Sequence, residues 1–209
     1  QGVRLVAVSK YHPAEYIEEA YAVGQRIFGE SHVQELRQKV EALPSDIEWH
    51  FIGHLQTNKI KYIAPFVSLI HSIDSLPLLL AVEKEARKND RVILCLLQFH
   101  VATEETKFGL SLDEAIALLN SDEYNQCTHV KIAGVMGMAT NTENRELIRR
   151  EFRTLHNYFL LLKENHFAGE EMFKEISMGM SGDYDIAIEE GSTLVRVGSS
   201  IFGERNYNK

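Results

Sequence analysis

The sequence has few cysteines and no hydrophobic run long enough to cross a membrane. Its two cysteines, Cys95 and Cys127, are too few for a disulfide framework and lack zinc-ligand spacing, which favours a reducing compartment. Its longest apolar runs, such as Val92–Leu97, are far shorter than a membrane span, and the N-terminus lacks the basic flank and long apolar stretch of a signal peptide. We therefore expect a cytoplasmic protein without a membrane segment and without a metal site.

Positive charge is also scarce. Lys plus Arg number 22 against 30 for Asp plus Glu, a net charge of -8, so the chain as a whole has no electrostatic reason to bind nucleic acid or an anionic membrane. Any anion must be held by local groups. Hydrophobic residues at 44% and charged residues at 25% are typical of a globular protein, and 209 residues favour one domain, assigned to 1–209. Since a strand pattern opens within three residues of Gln1, we expect a segment upstream.

Short β-rich runs alternate with amphipathic helical stretches, a pattern that predicts βα units and a parallel sheet. Eight such units without a linker fit either a closed (β/α)8 barrel or an open doubly wound sheet. No Gly-x-Gly-x-x-Gly turn follows the first strand, which weakens the dinucleotide-binding version of the open sheet. The predicted strands are Arg4–Ser9, Arg26–Gly29, Glu48–Ile52, Val67–Ser72, Val92–Phe99, Lys131–Gly137, Glu175–Met178 and Thr193–Val197.

Helix signals occur in the gaps between these strands. They include a proline at a first turn, a serine N-cap and a serine and glutamate spaced as a capping box. The helices they predict are Ala14–Val23 after Pro13, Leu76–Lys88 after Ser75, Ala115–Asn120 after Ser111 and Glu114, and Glu143–Asn165, the longest.

A lysine ends the first strand. The two-residue period of a strand places Lys10 on one face with Val6 and Val8, and both faces of this strand are mostly apolar, which indicates burial. A lysine at the carboxyl end of a buried barrel strand lies where such barrels keep their active sites, and partial desolvation favours its neutral, nucleophilic amine. Lys10 is therefore a candidate for Schiff-base formation. The alternative is a lysine that leaves the strand for solvent.

Two small, hydroxyl-rich segments close the last two strands. They are 177–182 and 196–200, and both combine glycine with serine. Loops after strands seven and eight of a (β/α)8 barrel often form a phosphate site, because glycines expose backbone N–H groups and serines add donors. Such donors would let an acidic protein hold an anion. The alternative is that glycine and serine only form tight turns.

Arg196 lies on the last strand. Strand alternation places it on one face with Leu194 and Gly198, so Arg196 faces a ligand if Gly198 does. A guanidinium inside a barrel needs an acceptor and does not give up its proton, so it would hold a partner such as a pyridine nitrogen in the unprotonated state. The alternative is a salt bridge to a barrel carboxylate, for instance Glu30.

The combination of this lysine, this arginine and the glycine and serine segments resembles the fold-type III pyridoxal-phosphate barrel of alanine racemase. More specifically, the chain resembles the YggS/PROSC family, the pyridoxal phosphate homeostasis proteins. The likeness runs in order from residue 3 to about residue 205. It is carried by 6–10 (VAVSK), 28–30 (FGE), 49–59 (WHFIGHLQTNK), 134–138 (GVMGM), 177–181 (SMGMS) and 195–198 (VRVG).

The resemblance implies an α/β fold, a single (β/α)8 TIM barrel like the alanine racemase N-terminal domain. It implies pyridoxal 5′-phosphate as a Schiff base on Lys10, with its ring nitrogen facing Arg196. The implied phosphate contacts are Ser181, Gly198 and Ser199, and Met178 is a candidate to lie against the ring. The family usually has Asn after Phe-Gly-Glu, near the cofactor's 3′-hydroxyl, whereas this chain has Ser31, a shorter side chain.

Racemisation needs one acid–base group on each face of the cofactor, and Lys10 supplies only one. In alanine racemase-like enzymes a tyrosine of a second domain supplies the other, whereas only Phe202–Lys209 follow the last loop here. An arginine at the ring nitrogen also disfavours electron-sink chemistry such as transamination. We therefore expect a monomeric carrier that keeps pyridoxal phosphate available to apo-enzymes without robust turnover. The alternatives are a slow amino-acid racemase using Lys10 with Tyr207 or water, and a barrel for another phosphate ester.

The remaining histidines and methionines predict ordinary structural roles. His50 and His54 lie at a strand end and in the following loop rather than on one helical face, which favours polar loop contacts over a metal pair. The alternating methionines near strands six and seven predict barrel packing. They are Met136, Met138, Met178 and Met180.

Overall fold

Eight parallel strands close into a barrel. The computed structural model describes residues 2–104 and 108–205. Strands β1 to β8 are Arg4–Val8, Ile27–Glu30, Glu48–Phe51, Leu69–Ile73, Ile93–Gln98, Val130–Met136, Glu175–Ser177 and Leu194–Val197. Each strand pairs with the next, and β8 returns to β1, with Arg4 opposite Leu194 and Ala7 opposite Val197. This closure confirms the barrel and excludes the open doubly wound sheet.

All eight strands were predicted, and their ends differ from the prediction by at most two residues. The fourth strand shows why. It begins at Leu69 rather than Val67 because the Val67 N–H still donates to the Ile63 carbonyl at 2.9 Å, in the preceding turn. Ser68 is the first residue to reach the neighbouring strand, through a hydrogen bond to the Trp49 carbonyl. Hydrophobicity predicts which segment is buried but not which hydrogen-bond partner its first amide takes.

The predicted helices are confirmed, with small changes at their ends. The Ser75 hydroxyl accepts from the Leu78 N–H, and Ser111 and Glu114 form the predicted capping box. The long helix begins later than predicted, because Asn144 accepts from the Leu147 N–H and is its N-cap. Helices α1 to α8 are Ala14–Ala22, Val33–Ala42, Leu76–Lys88, Leu112–Leu119, Asp122–Asn125, Arg145–Asn165, Tyr184–Glu189 and Ser199–Phe202, and a 3₁₀ helix spans Thr57–Tyr62. None of the helices within 2–104 and 108–205 combines the length and apolarity needed to cross a membrane.

The hydrophobic core has two layers, one between barrel and helices and one inside the barrel. The outer layer is the larger, and the inner one contains Val6, Leu69, Leu96, Ala133, Met136 and Leu194. Towards the carboxyl ends of the strands the interior becomes polar, with buried His50, His71, Ser177 and Arg196. A binding site is therefore expected at this polar end of the barrel. That all 209 residues form one domain stays a prediction.

One glycine is required by the closure of the barrel. At the irregularity between β5 and β6, Gly134 has φ +152, and a Cβ built on it would lie 1.9 Å from the Glu175 carbonyl oxygen of β7. We expect Gly134→Ala to lower the free energy of unfolding by about 3 kcal/mol, from backbone strain and overpacking together. Urea unfolding measures this. Gly169→Ala is the control, because Gly169 also has positive φ (+78) but open space around it; equal losses in both variants would contradict the clash.

Candidate functional site

A cavity of about 700 Å³ opens at the carboxyl ends of the strands. Its volume lies within the range of small-molecule sites. The structure brings together six of the seven residues that the sequence singled out separately. Lys10, Ser31, Ser181, Arg196, Gly198 and Ser199 all line this cavity.

Met178 is the exception, and its predicted place against a ligand is wrong. The Ser177 side chain points into the barrel, where it contacts His71, so the next residue along the chain points outwards. Met178 is fully buried in the outer core layer. Two other methionines, Met138 and Met180, line the cavity instead. The packing role predicted for Met136 is confirmed, since it lies in the inner core layer.

Lys10 continues the inward face of β1 beyond Val8, as predicted, and is partly buried at the cavity wall. Burial lowers the pKa of its amine, and the Arg205 guanidinium lowers it further, while Glu30 opposes them. A larger fraction of the Lys10 amine is therefore neutral at a given pH than for a lysine in water. A neutral amine is the nucleophilic form.

A buried lysine on α2 holds the turn that carries Lys10. The Lys39 Nζ donates to the Ser9 carbonyl at 2.8 Å, to Glu30 at 2.6 Å and to Glu35 at 2.7 Å. The Glu35 oxygen that accepts from Lys39, Oε2, also accepts from the Tyr11 N–H at 2.7 Å. Tyr11 has φ +67, an unusual value for a residue with a side chain. Lys39 therefore ties down the backbone on both sides of Lys10.

The same contacts exclude Glu30 as the predicted salt-bridge partner of Arg196. Glu30 faces the helix layer and pairs with Lys39, so it is not the partner of Arg196. Arg196 instead donates through Nη1 to the Ser177 hydroxyl and through Nη2 to the Gly137 carbonyl at 3.1 Å. Burial lowers the pKa of Arg196 to about 10, with Asp183 opposing, so the guanidinium stays charged at neutral pH. Arg196 is thus a fixed donor at the base of the cavity.

Behind Arg196, a chain of buried side chains crosses the barrel interior. His71 Nδ1 lies 2.8 Å from Ser177 Oγ, and His71 Nε2 lies 2.9 Å from His50 Nδ1. Burial lowers the pKa of His50 to about 3 and that of His71 well below its usual range, so both rings are neutral. All these groups are satisfied if Ser177 accepts from Arg196 and donates to His71, which then donates to His50. His50 is therefore a buried barrel residue and not the loop contact predicted; His54, in the loop, stacks on Phe108.

We expect Ser177→Ala to lower the free energy of unfolding by about 2 kcal/mol, because it leaves buried groups of Arg196 and His71 without a partner. Urea unfolding of the purified variant measures the loss. Ser72→Ala is a matched control on β4, since the buried Ser72 hydroxyl makes no hydrogen bond. That variant should be as stable as the parent protein, and an equal loss in both would assign the effect to packing.

The glycine and serine segments form one wall of the cavity, as predicted. The Gly198 N–H donates to the Ser181 hydroxyl at 3.3 Å, which joins the loops after β7 and β8. The first N–H groups of α8, at Ser199 and Ser200, have no acceptor within their own helix. A residue that the sequence did not single out lines the same cavity: Arg205, whose Nε is buried without a hydrogen-bond partner. These unpaired donors make this wall suitable for an anion.

The other acid–base groups of the cavity are Asp183 and Glu204. Asp183 Oδ1 accepts from the Met180 N–H at 2.8 Å, and burial raises the pKa of this carboxyl. No tyrosine, histidine or cysteine of the described residues lines the cavity. Tyr207, the candidate second base, lies outside the described residues. Within 2–104 and 108–205, no group of three or more His, Cys, Asp or Glu side chains could hold a metal ion.

Comparison with known proteins places this site in a family. The alanine racemase N-terminal domain family matches residues 1–206. The pyridoxal phosphate homeostasis protein of Aquifex aeolicus is 42% identical over 206 residues, 98% of this chain and 88% of that protein. The human pyridoxal phosphate homeostasis protein is 36% identical over 217 residues, 99% of this chain and 78% of that protein.

Two solved structures extend the comparison. PipY of Synechococcus elongatus, with PLP bound, has a TM-score of 0.85 and 35% identity, over 96% of this chain and 92% of that chain. Alanine racemase of Bartonella henselae has a TM-score of 0.71 at 13% identity, over 99% of this chain and 59% of that chain. The second likeness shows the fold alone, a barrel shared with a larger enzyme.

Proposed function

The chain belongs to the pyridoxal phosphate homeostasis protein family, and we propose that it binds pyridoxal 5′-phosphate in the cavity of Lys10. The proposal is carried by one observation. One cavity of about 700 Å³ is lined by three kinds of group. They are the Lys10 amine with its lowered pKa, the fixed guanidinium of Arg196, and a wall of unpaired N–H and hydroxyl donors. These are the three kinds of group that an aldehyde, a pyridine nitrogen and a phosphate require.

The donors match the ligand group by group. The orphaned Nε of Arg205 and the hydroxyls of Ser181 and Ser199 suit a dianionic phosphate. Arg196, which keeps its proton, donates to a ring nitrogen and keeps that nitrogen unprotonated. Ser31 lines the cavity where the family usually has Asn, so its shorter side chain would leave a longer gap to the 3′-hydroxyl.

When bound, the cofactor supplies an aldehyde for covalent attachment. Lys10 would hold that aldehyde through its Nζ, with the two amine protons and the carbonyl oxygen leaving as water. The lowered pKa of Lys10 favours this step because the attacking amine must be neutral. Lys39 assists by holding the backbone on both sides of Lys10.

We further propose that the protein stores and delivers the cofactor rather than turning over a substrate. Racemisation needs a second acid–base group across from Lys10. In the described part of the chain no tyrosine, histidine or cysteine lines the cavity, and of its two carboxyls, Asp183 and Glu204, the first already accepts from the Met180 N–H. The charged Arg196 also weakens electron withdrawal by the ring. The recipients in this proposal are apo-enzymes that use the same cofactor, in the cytoplasm, where the free thiols of Cys95 and Cys127 remain reduced. The protein would act as a monomer.

The test combines stoichiometry, attachment site and turnover. Protein loaded with pyridoxal 5′-phosphate and freed of excess should hold about one equivalent, and borohydride followed by peptide mass analysis should place the label on Lys10. A chiral assay with L- and D-alanine and serine should show no turnover above that of free cofactor. Turnover well above that level, abolished by Lys10→Ala, would replace the carrier with a slow racemase. No yellow chromophore at all would favour a site for another phosphate ester.

A further inference from the structure

A second cavity, of about 400 Å³, adjoins the site of Lys10 and shares one wall residue, Ser31, with it. We call it the Arg37 pocket. It lies between α2 and the segment that connects β3 to β4 through the 3₁₀ helix. Its wall includes Ser31, His32, Arg37, His54, Lys59 and Tyr62.

The cations of this pocket have no carboxylate partner. No Asp or Glu among the residues of 2–104 and 108–205 forms a salt bridge with Arg37 or Lys59. Several other surface arginines are paired with carboxylates, as Arg149 and Arg153 are with Glu190. In a chain with net charge -8, acceptors for a cation are abundant. Arg37 and Lys59 therefore face one cavity without a neutralising carboxylate from the described part of the chain.

Arg37, Lys59 and a third cation, Lys61, lie around the ring of Tyr62. The Arg37 guanidinium lies 4.3 Å from the centroid of the Tyr62 ring, and the amines of Lys61 and Lys59 lie 5.1 and 6.0 Å from it. The ring face attracts each cation, but the cations repel one another at separations within a Debye length. An anion between Arg37 and Lys59 would remove that repulsion and gain charge-assisted hydrogen bonds.

Both histidines of the wall are already engaged. His32 Nε2 lies 3.3 Å from the Tyr11 hydroxyl, and the His54 ring stacks on Phe108. The carboxylate closest along α2, Glu35, is held by Lys39. The first turn of α2 also borders the pocket and its N–H groups favour negative charge, although a helix end alone would not define a site.

We propose that the Arg37 pocket binds a small phosphate-bearing anion, held by Arg37 and Lys59, beside the cofactor cavity and separate from it. A free phosphate and the phosphate of a small ester share this chemistry, and the volume accommodates either. The site needs no covalent step, and it does not depend on whether the neighbouring cavity holds pyridoxal phosphate.

The test is an amide NMR titration of the cofactor-loaded protein at constant ionic strength, with inorganic phosphate in one arm and glycerol 3-phosphate in another. Loading fills the glycine and serine wall, and the cofactor's absorbance reports it independently. We expect saturable shifts at 31–34 and 56–62. Arg37→Gln and Lys59→Gln should each weaken binding at least about tenfold. Lys61→Gln makes the same charge change on the same ring but outside the pocket, so it should weaken binding less than about twofold.

Three results would overturn the proposal. The first is that neither phosphate arm gives a saturable shift. The second is that shifts occur only in unloaded protein and only in the loops of Ser181 and Gly198. The third is that the Arg37, Lys59 and Lys61 variants lose equal amounts of affinity. A third arm with hexaglutamate separates a docking surface from a small-ligand site. Binding of that peptide with the same dependence on Arg37, without binding of either phosphate, would assign the pocket to an acidic protein partner instead.

Discussion

Lys10→Ala will abolish the covalent retention of pyridoxal phosphate. The variant removes the only amine among the described residues that line the cavity, so borohydride will fix no label there. The serine hydroxyls, Arg196 and Arg205 remain, so the variant should still bind the cofactor reversibly and release it during gel filtration. The measurement is the cofactor absorbance that stays with the protein, together with the mass of the reduced peptide.

The pH dependence of loading gives a second readout of the same amine. Because burial and Arg205 lower the pKa of Lys10, the rate of loading should rise with pH and level off below pH 10.5, the ordinary lysine value. Lys88→Ala, which removes an exposed lysine paired with Glu85, should load like the parent protein. A full equivalent of label on another lysine in Lys10→Ala would contradict the assignment of the attachment site.

The barrel can be predicted from the sequence because each strand is a short apolar run and each gap has helix signals of its own. Alternation then places Lys10 with Val8, and Arg196 with Leu194 and Gly198, on the inward face, and the structure agrees. Met178 was misassigned against the same rule, because alternation puts it on the face opposite the inward-pointing Ser177 and therefore in the outer core layer. Local alternation thus predicted the direction of Lys10 and Gly198 even though both lie just beyond the ends of β1 and β8.

The contacts around the site depend on residues far apart in the chain. Lys39 stands four residues after Glu35 on a helix, a spacing typical of an exposed surface pair, and its burial comes only from packing of α2 against β1 and β2. His71 shares a face with Leu69, so alternation could have placed it inside the barrel. Its partner Ser177 is 106 residues away, and only the closed barrel brings the two together. Arg205 follows the last strand, where no periodic pattern predicts direction.

Lys39→Met should lower the free energy of unfolding by roughly 3–5 kcal/mol, because it leaves a buried carboxylate without its counter-charge. Glu30 is fully buried and its Oε2 already lacks a hydrogen-bond partner, so Lys39 and the Ser9 hydroxyl are what stabilise its charged form. The Ser9 carbonyl beside Lys10 loses a donor as well. We therefore expect slower cofactor loading together with the loss of stability, measured by urea unfolding and by the rate of cofactor attachment.

The loss in Lys39→Met should depend on pH with a defined sign. Burial raises the pKa of Glu30 from 4.5 to about 7 even though Lys39 lowers it, so removing Lys39 raises it further. A carboxyl whose pKa is raised on folding contributes stability below its unfolded pKa and loses it as pH rises through the folded value. The deficit of the variant should thus be larger at about pH 9 than at about pH 5. A second change, Glu30→Gln, should recover part of the stability at pH 9, because it removes the stranded charge; no recovery would mean that Lys39 stabilises the fold through packing alone.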